Sequence, residues 1–236
     1  MVSVLFMFSP FRIFAVGCCL FALTAFAGNI GNAAPVGDET ALAKVQSLLS
    51  SVGGEDHWSR RFLYVEETAY LRSGATASVQ IWRDLANTTR VIEMTSLGTV
   101  YREVLAEDAG YFVRNGERTD YSAEEFAAEK SGIEQAPYFI YHRLAKGDPN
   151  LRVTYNEDAR KLEVHEVGGR LLCWFLLDEM GAILSWGNIY NGSVNRHIYG
   201  PLIDFGEARL PKWGAAIDGG WRFEYTKAVL SEVPHP

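Results

Sequence analysis

The sequence predicts a mainly β fold of the α+β class, a long antiparallel sheet whose apolar face is covered by an N-terminal helix and central helices. Three observations predict it. From Gly169 to Val233 the chain reads as strand, tight turn, strand, repeated, with breaks at Met180-Gly181, Asn191-Gly192, Gly200-Pro201, Gly206-Glu207 and Gly219-Gly220. Asn-Gly stands between β-rich runs twice, at Asn115-Gly116 and Asn191-Gly192, and a type I′ hairpin turn needs φ > 0 at both central residues. Helical patterning is confined to one stretch near the N-terminus and one in the middle, whereas a nucleotide-binding α/β chain alternates strand with helix throughout.

The elements follow in order. Asp38 to Ser51 reads as the first helix: Leu42, Val45, Leu48 and Leu49 share one face at helical spacing, and Gly53-Gly54 ends it. Five strand segments come next, RRFLYVEETAYLR, ASVQIWRD, TRVIEMT, TVYREVLAED and GYFVRNGERTDY. Ser122-Ala123-Glu124-Glu125 is a capping box that opens a short helix. Pro137 starts another, Tyr138 to Lys146, because proline is tolerated at the first helical position. Gly147-Asp148-Pro149 stops it. Eight segments then run to the C-terminus: LRVTYN, KLEVHEV, RLLCWFLLDE, AILSWGNIY, SVNRHIYG, LIDFG, RLPKWGAAID and WRFEYTKAVLSEV. No linker, repeat or low-complexity stretch divides them, so residues 28–236 form one domain. Helices are the only cover available for such a sheet, and they belong inside its curve.

Residues 1–27 read as a cleaved signal peptide. Arg12 is the only charge in the first 37 residues, Ile13 to Ala27 is one apolar run, and Ala25-Phe26-Ala27 fits a small-x-small cleavage site. The run has 15 residues, short of the roughly 20 that a membrane span needs. Met7 is an alternative start to Met1. Once the segment leaves, Cys173 is the one remaining cysteine. It sits in LLCWFLL, apolar on both strand faces, and reads as a buried small hydrophobe. The net charge of −7 and the lack of any Lys/Arg cluster argue against a nucleic-acid partner.

Signatures of catalysis are missing. No G-x-S-x-G elbow occurs, and His165-Glu166 continues as Val167-Gly168-Gly169 rather than to the second His of a zincin. The five histidines have no metal-ligand spacing. Glu66 and Glu67 are adjacent on a strand, so they point to opposite faces and cannot act as a dyad. The chain is therefore read as non-enzymatic, with no metal and no cofactor; a monomer is the separate expectation for its assembly.

Aromatic weight on strands stands out instead. Its plain reading is a large core; its functional reading is an apolar cavity between sheet and helices, open to a hydrophobic ligand. Strand alternation nominates Phe62, Trp82, Ile92, Val104, Phe112, Phe139, Trp174 and Trp186 as its lining, with Arg83 as a polar contact at the mouth. A one-residue slip of register would turn every such side chain to the other face.

The same residues carry a resemblance. SVQIWRD followed by RVIEM and EVLAEDAGYFVRNGE, the hairpin WFLLDEMGAILSW, and the closing IDFGEARLPKWGAAIDGGWRFEYTKAVLSEV resemble the LolA/LolB-like superfamily of lipoprotein-localisation proteins, over most of residues 28–236. The resemblance implies an unclosed antiparallel β-barrel, helices as a lid over the concave face, and a cavity for acyl chains. Lipoprotein carriers of that family have an arginine just after the second strand, followed by proline; Arg83 stands at that place, followed by Asp84. What it implies is a periplasmic carrier of a lipid or acylated lipoprotein, working with a membrane-associated donor or acceptor protein. The alternative is a sensor or scaffold on the same fold that binds a protein partner.

Overall fold

The computed structural model describes residues 34–236. The cleavage site after Ala27, and Arg12, lie outside the described residues. Among the described residues, thirteen strands form one antiparallel sheet that does not close, and four helices accompany it.

The first helix, α1 (Glu39–Ser51), is one residue shorter than its sequence pattern because Asp38 is its N-cap and accepts a hydrogen bond from the Ala41 amide at 2.7 Å. Ala41, Val45, Leu48 and Leu49 are buried, so the inward stripe takes Ala41 where the sequence suggested Leu42. A single turn, α2 (Glu55–Trp58), interrupts the approach to the first strand. It is missed by periodicity because four residues show none. Its Trp58 is fully buried and donates its indole N–H to Val52 O at 2.9 Å.

Six strands follow as hairpins: β1 (Phe62–Leu71), β2 (Thr76–Asp84), β3 (Thr89–Ser96), β4 (Thr99–Leu105), β5 (Gly110–Arg114) and β6 (Glu117–Asp120). Asn115 and Gly116 both take positive φ, at 51° and 91°, and Arg114 pairs with Glu117 across the two-residue loop. The capping box then opens α3 (Ala123–Glu134), with Ser122 and Glu125 bonded reciprocally, and Pro137 begins α4 (Pro137–Ala145). The two helices differ in attachment. α3 buries Ile133 alone, whereas α4 buries eight of its nine residues.

The rest of the chain is β7 (Leu151–Asn156), β8 (Lys161–Glu166), β9 (Leu171–Leu177), β10 (Ile183–Tyr190), β11 (Ser193–Tyr199), β12 (Leu202–Phe205), β13 (Ala208–Pro211), β14 (Trp213–Ala216) and β15 (Trp221–Ser231). The segment RLPKWGAAID reads as one strand in the sequence but is two. β13 leaves the main sheet and pairs with β12, while β14 stays in it between β11 and β15. Pro211 ends β13, since proline has no N–H to continue a ladder.

The strand order is β6-β5-β4-β3-β2-β1-β15-β14-β11-β10-β9-β8-β7, so the first and last strands in the chain, β1 and β15, pair at the centre. Two things follow. The sheet curls around the helices, and its concave side is filled unevenly. On the β7–β9 flank the helices complete a core in which the Tyr141 ring stacks on Phe175 at 5.5 Å. Between β4 and β10 the concave side is not filled, and on β3 the inner residues Ile92 and Met94 are only half-buried. No helix of the described residues is long and apolar enough to cross a membrane.

Candidate functional site

The unfilled part of the concave face is a cavity of about 630 Å³. Strands β1–β4, β10, β11 and β15 wall it, and the end of α3 and start of α4 roof it. Its apolar lining includes Val79, Ile81, Ile92, Met94, Ile133 and Phe223. That volume lies within the roughly 300–1,000 Å³ of small-molecule sites.

Besides the paired Arg90 and Glu129, buried polar groups without a full set of partners stand in this wall at two stations. The first is on β1 and β2, where alternation aims Glu67 and Arg83 inward. Both are buried, and no ion pair among the described residues contains either. The Arg83 guanidinium lies over the Tyr138 ring at 4.8 Å, and its Nη1 has no hydrogen-bond partner. The Tyr138 hydroxyl is bonded in turn to that of Tyr225. Burial pushes the Glu67 carboxyl up to about 7, against a smaller opposing pull from Arg83. Burial also lowers Arg83 from the usual guanidinium value. A buried cation costs free energy unless it is paired, and the compensation here is limited to the Tyr138 ring and the nearby Glu67.

The second station is on the β10–β11 hairpin, whose Asn191-Gly192 turn sets its register. Trp186 pairs with His197 across it and Asn188 with Asn195, all facing the cavity. His197 is 6 % exposed and Asn188 2 %. Neither His197 ring nitrogen has a partner, and neither does Asn188 Oδ1. The imidazole is held between aromatic rings, stacked on Trp186 at 5.2 Å and edge-on to Trp221 at 5.4 Å. Burial lowers it to about 4, so it is neutral at physiological pH. The Trp186 indole N–H lacks a hydrogen bond of standard geometry but lies close enough to Cys173 to hold that thiol's pKa down slightly against burial, which dominates and raises it.

A strap of polar contacts carries α3 across the cavity. Glu129 accepts from the Tyr190 hydroxyl of β10 at 2.9 Å and faces Arg90 of β3 at 3.7 Å. Arg90 is bonded to Glu103 at 2.6 Å, and Glu103 accepts from the Tyr121 hydroxyl at 2.6 Å. Lys130 donates to Thr88 O at 2.7 Å, and Arg170 reaches Glu134 at 3.0 Å. Gly132 permits the close fit to β10, since a Cβ there would stand 2.7 Å from the Tyr190 ring.

Of the nine residues nominated from the sequence, Arg83, Ile92 and Trp186 line the cavity. Phe112 shares the concave face but stacks on Tyr101 at 6.0 Å and packs at a tilt on Tyr121 at 5.8 Å, outside the lining. Phe139 is buried in the core and borders a smaller hollow with Leu85 and His142. Phe62, Trp82, Val104 and Trp174 are on the opposite, convex face. Trp82 packs on Tyr64 at 5.1 Å, in a shallow surface with Phe62 and the C-terminal Pro234 and His235. Val104 pairs with Val91, and Trp174 lies over Gly187 beneath Lys161. The reason is alternation itself: Trp82 and Arg83 are neighbours on one strand, so only one of them can face inward. On β1 and β2 the aromatic side is the outer one, and the inner side carries Leu63, Val65, Glu67, Ile81 and Arg83.

The sequence reading missed Glu67, Asn188 and His197. Glu67 was legible, since it keeps parity with Leu63 and Val65 on β1. Asn188 was legible too, by parity with Trp186 on β10, and His197 by its place opposite Trp186 across the Asn191-Gly192 turn.

A scan of protein-family models finds no match to this chain, and a search of curated proteins finds none either.

Proposed function

We propose that the protein is an exported, periplasmic carrier that binds a lipid or lipid-anchored cargo in the cavity between its sheet and helices. The observation that carries this reading is the cavity: about 630 Å³ of mostly apolar space inside a sheet that had the side chains to fill it elsewhere. An acyl chain suits such walls, because its burial stabilises by roughly 0.8 kcal/mol per methylene. Arg83 supplies a charge-assisted hydrogen bond to a carbonyl or head group that enters with the chain. The resemblance to the LolA/LolB-like superfamily supports the same role, with donor and acceptor proteins at membranes.

The test is a titration with a fluorescent fatty-acyl probe against wild type and Ile92→Trp, whose indole occupies part of the cavity. Wild type is expected to bind at micromolar protein and the variant to bind much more weakly while keeping its circular dichroism. If wild type takes up no hydrophobe, the carrier reading fails. N-terminal sequencing of exported protein, expected to begin near Gly28, tests the export.

A further inference from the structure

We infer that Asn188 and His197 form a subsite for an uncharged head group that both donates and accepts hydrogen bonds, so that the cavity selects a neutral amphiphile, such as a monoacylglycerol or a fatty amide, over a free fatty acid. The inference rests on the binding role proposed above and names its ligand class.

Three facts place the subsite. Asn188 and His197 are both more than nine-tenths buried, both line the cavity, and three of their polar atoms have no partner: Asn188 Oδ1, His197 Nδ1 and His197 Nε2. Buried polar groups in native proteins are nearly always satisfied, so three orphans on one hairpin face call for an external partner. Their chemistry sets what it is. A neutral imidazole offers one donor and one acceptor, and Asn188 Oδ1 adds a second acceptor. A hydroxyl or an amide N–H can donate to either acceptor and take the imidazole proton in return. A carboxylate only accepts; it can take the imidazole N–H and an Asn188 amide N–H, but it leaves Asn188 Oδ1 and the bare imidazole nitrogen unpaired. The ring is neutral at neutral pH, because burial lowers it to about 4, and it is packed between Trp186 and Trp221.

Arg83 is the competing station, and it separates the outcomes. Were it the anchor of the head group, a carboxylate would win.

The experiment displaces a bound fluorescent fatty-acyl probe with 1-monooleoylglycerol and with oleate, at neutral pH, from wild type, Asn188→Leu and His197→Phe. Wild type is expected to prefer the glyceride by about tenfold, the cost of leaving a buried polar group unpaired. In both variants that ratio is expected to fall to near one. Both are also expected to melt no lower than wild type without ligand, since each replaces an orphaned polar side chain by an apolar one of similar shape. An oleate preference in wild type, or a ratio that neither variant changes, overturns the inference and leaves the carrier role standing. Failure of wild type to bind the probe at all removes the carrier role and the inference with it.

Discussion

Glu67 and His197 face one cavity and titrate in opposite senses, which makes stability against pH a sharp reporter of the site. Glu67 rises from 4.5 to about 7 on folding. Between those values the unfolded chain gives up a proton that the folded one keeps, so stability is lost as pH rises. His197 falls from 6.5 to about 4. There the unfolded chain takes up a proton that the folded one refuses, so stability is lost as pH falls. Each gap spans 2.5 pH units and corresponds to about 3 kcal/mol at about 1.4 kcal/mol per unit. From about pH 5 to about pH 6.5 each group alone changes stability by roughly 1.5–2 kcal/mol, with opposite sign, so in wild type they nearly cancel. Removing Glu67 unmasks the histidine. Glu67→Gln is expected to gain roughly 1.5–2 kcal/mol across that window relative to wild type, a rise in Tm of about 3–7 °C for a domain of this size. His142, also lowered by burial, adds in the same direction in both proteins. The charged and titratable neighbours of Glu67 are Arg83, Tyr138 and Tyr225; the first stays protonated and the tyrosines stay neutral throughout the window. The assay is thermal unfolding followed by circular dichroism at several pH values, read as the difference between the two profiles, which removes the carboxylates they share. Parallel profiles would refute the reasoning, because Glu67 would then be ionised in the folded protein, with solvent or a partner around it.

Four further outcomes are expected. Gly187→Ala places a Cβ 2.4 Å from the Trp174 ring and 3.0 Å from Asn195 O, so it should destabilise by roughly 1–3 kcal/mol in chemical denaturation, with the hairpin strained rather than the cavity filled. Arg83→Met removes a buried cation with an orphaned nitrogen, and its Tm should equal or exceed that of wild type at neutral pH; a large fall would mean that Arg83 holds the fold together. Native protein should not react with a thiol reagent at Cys173 until denaturant is added, since the side chain is fully buried and burial raises its pKa. Amide exchange should be faster through α3 than through α4, because α3 buries Ile133 alone and is otherwise held by exposed or half-buried polar contacts.

Much of this architecture was already determined in the sequence, because it is set by local chemistry. Asn-Gly pairs need positive φ and made their hairpins; Ser122 and Glu125 capped α3; Pro137 began α4; and LLCWFLL, apolar on both faces, became a strand covered on both sides, with Cys173 inside it. Local rules also fixed that Glu66 and Glu67 part company, one to each face. They did not fix which face was which. On β1 and β2 aromatic residues lie outward and aliphatic and charged ones inward, and only the curl of the sheet around α4 decided that the second set faces a cavity. Pro211 marked the end of β13, but no local pattern sent β13 to pair with β12 outside the main sheet or formed the turn at Trp58. The site belongs to the tertiary structure for the same reason. Glu67 and Arg83 stand on the β1–β2 hairpin, and Asn188 and His197 on the β10–β11 hairpin about a hundred residues later. They line one cavity because β1 and β15 pair at the centre of the sheet and both flanks contribute to one concave face, and burial there, not residue type, sets their charge states.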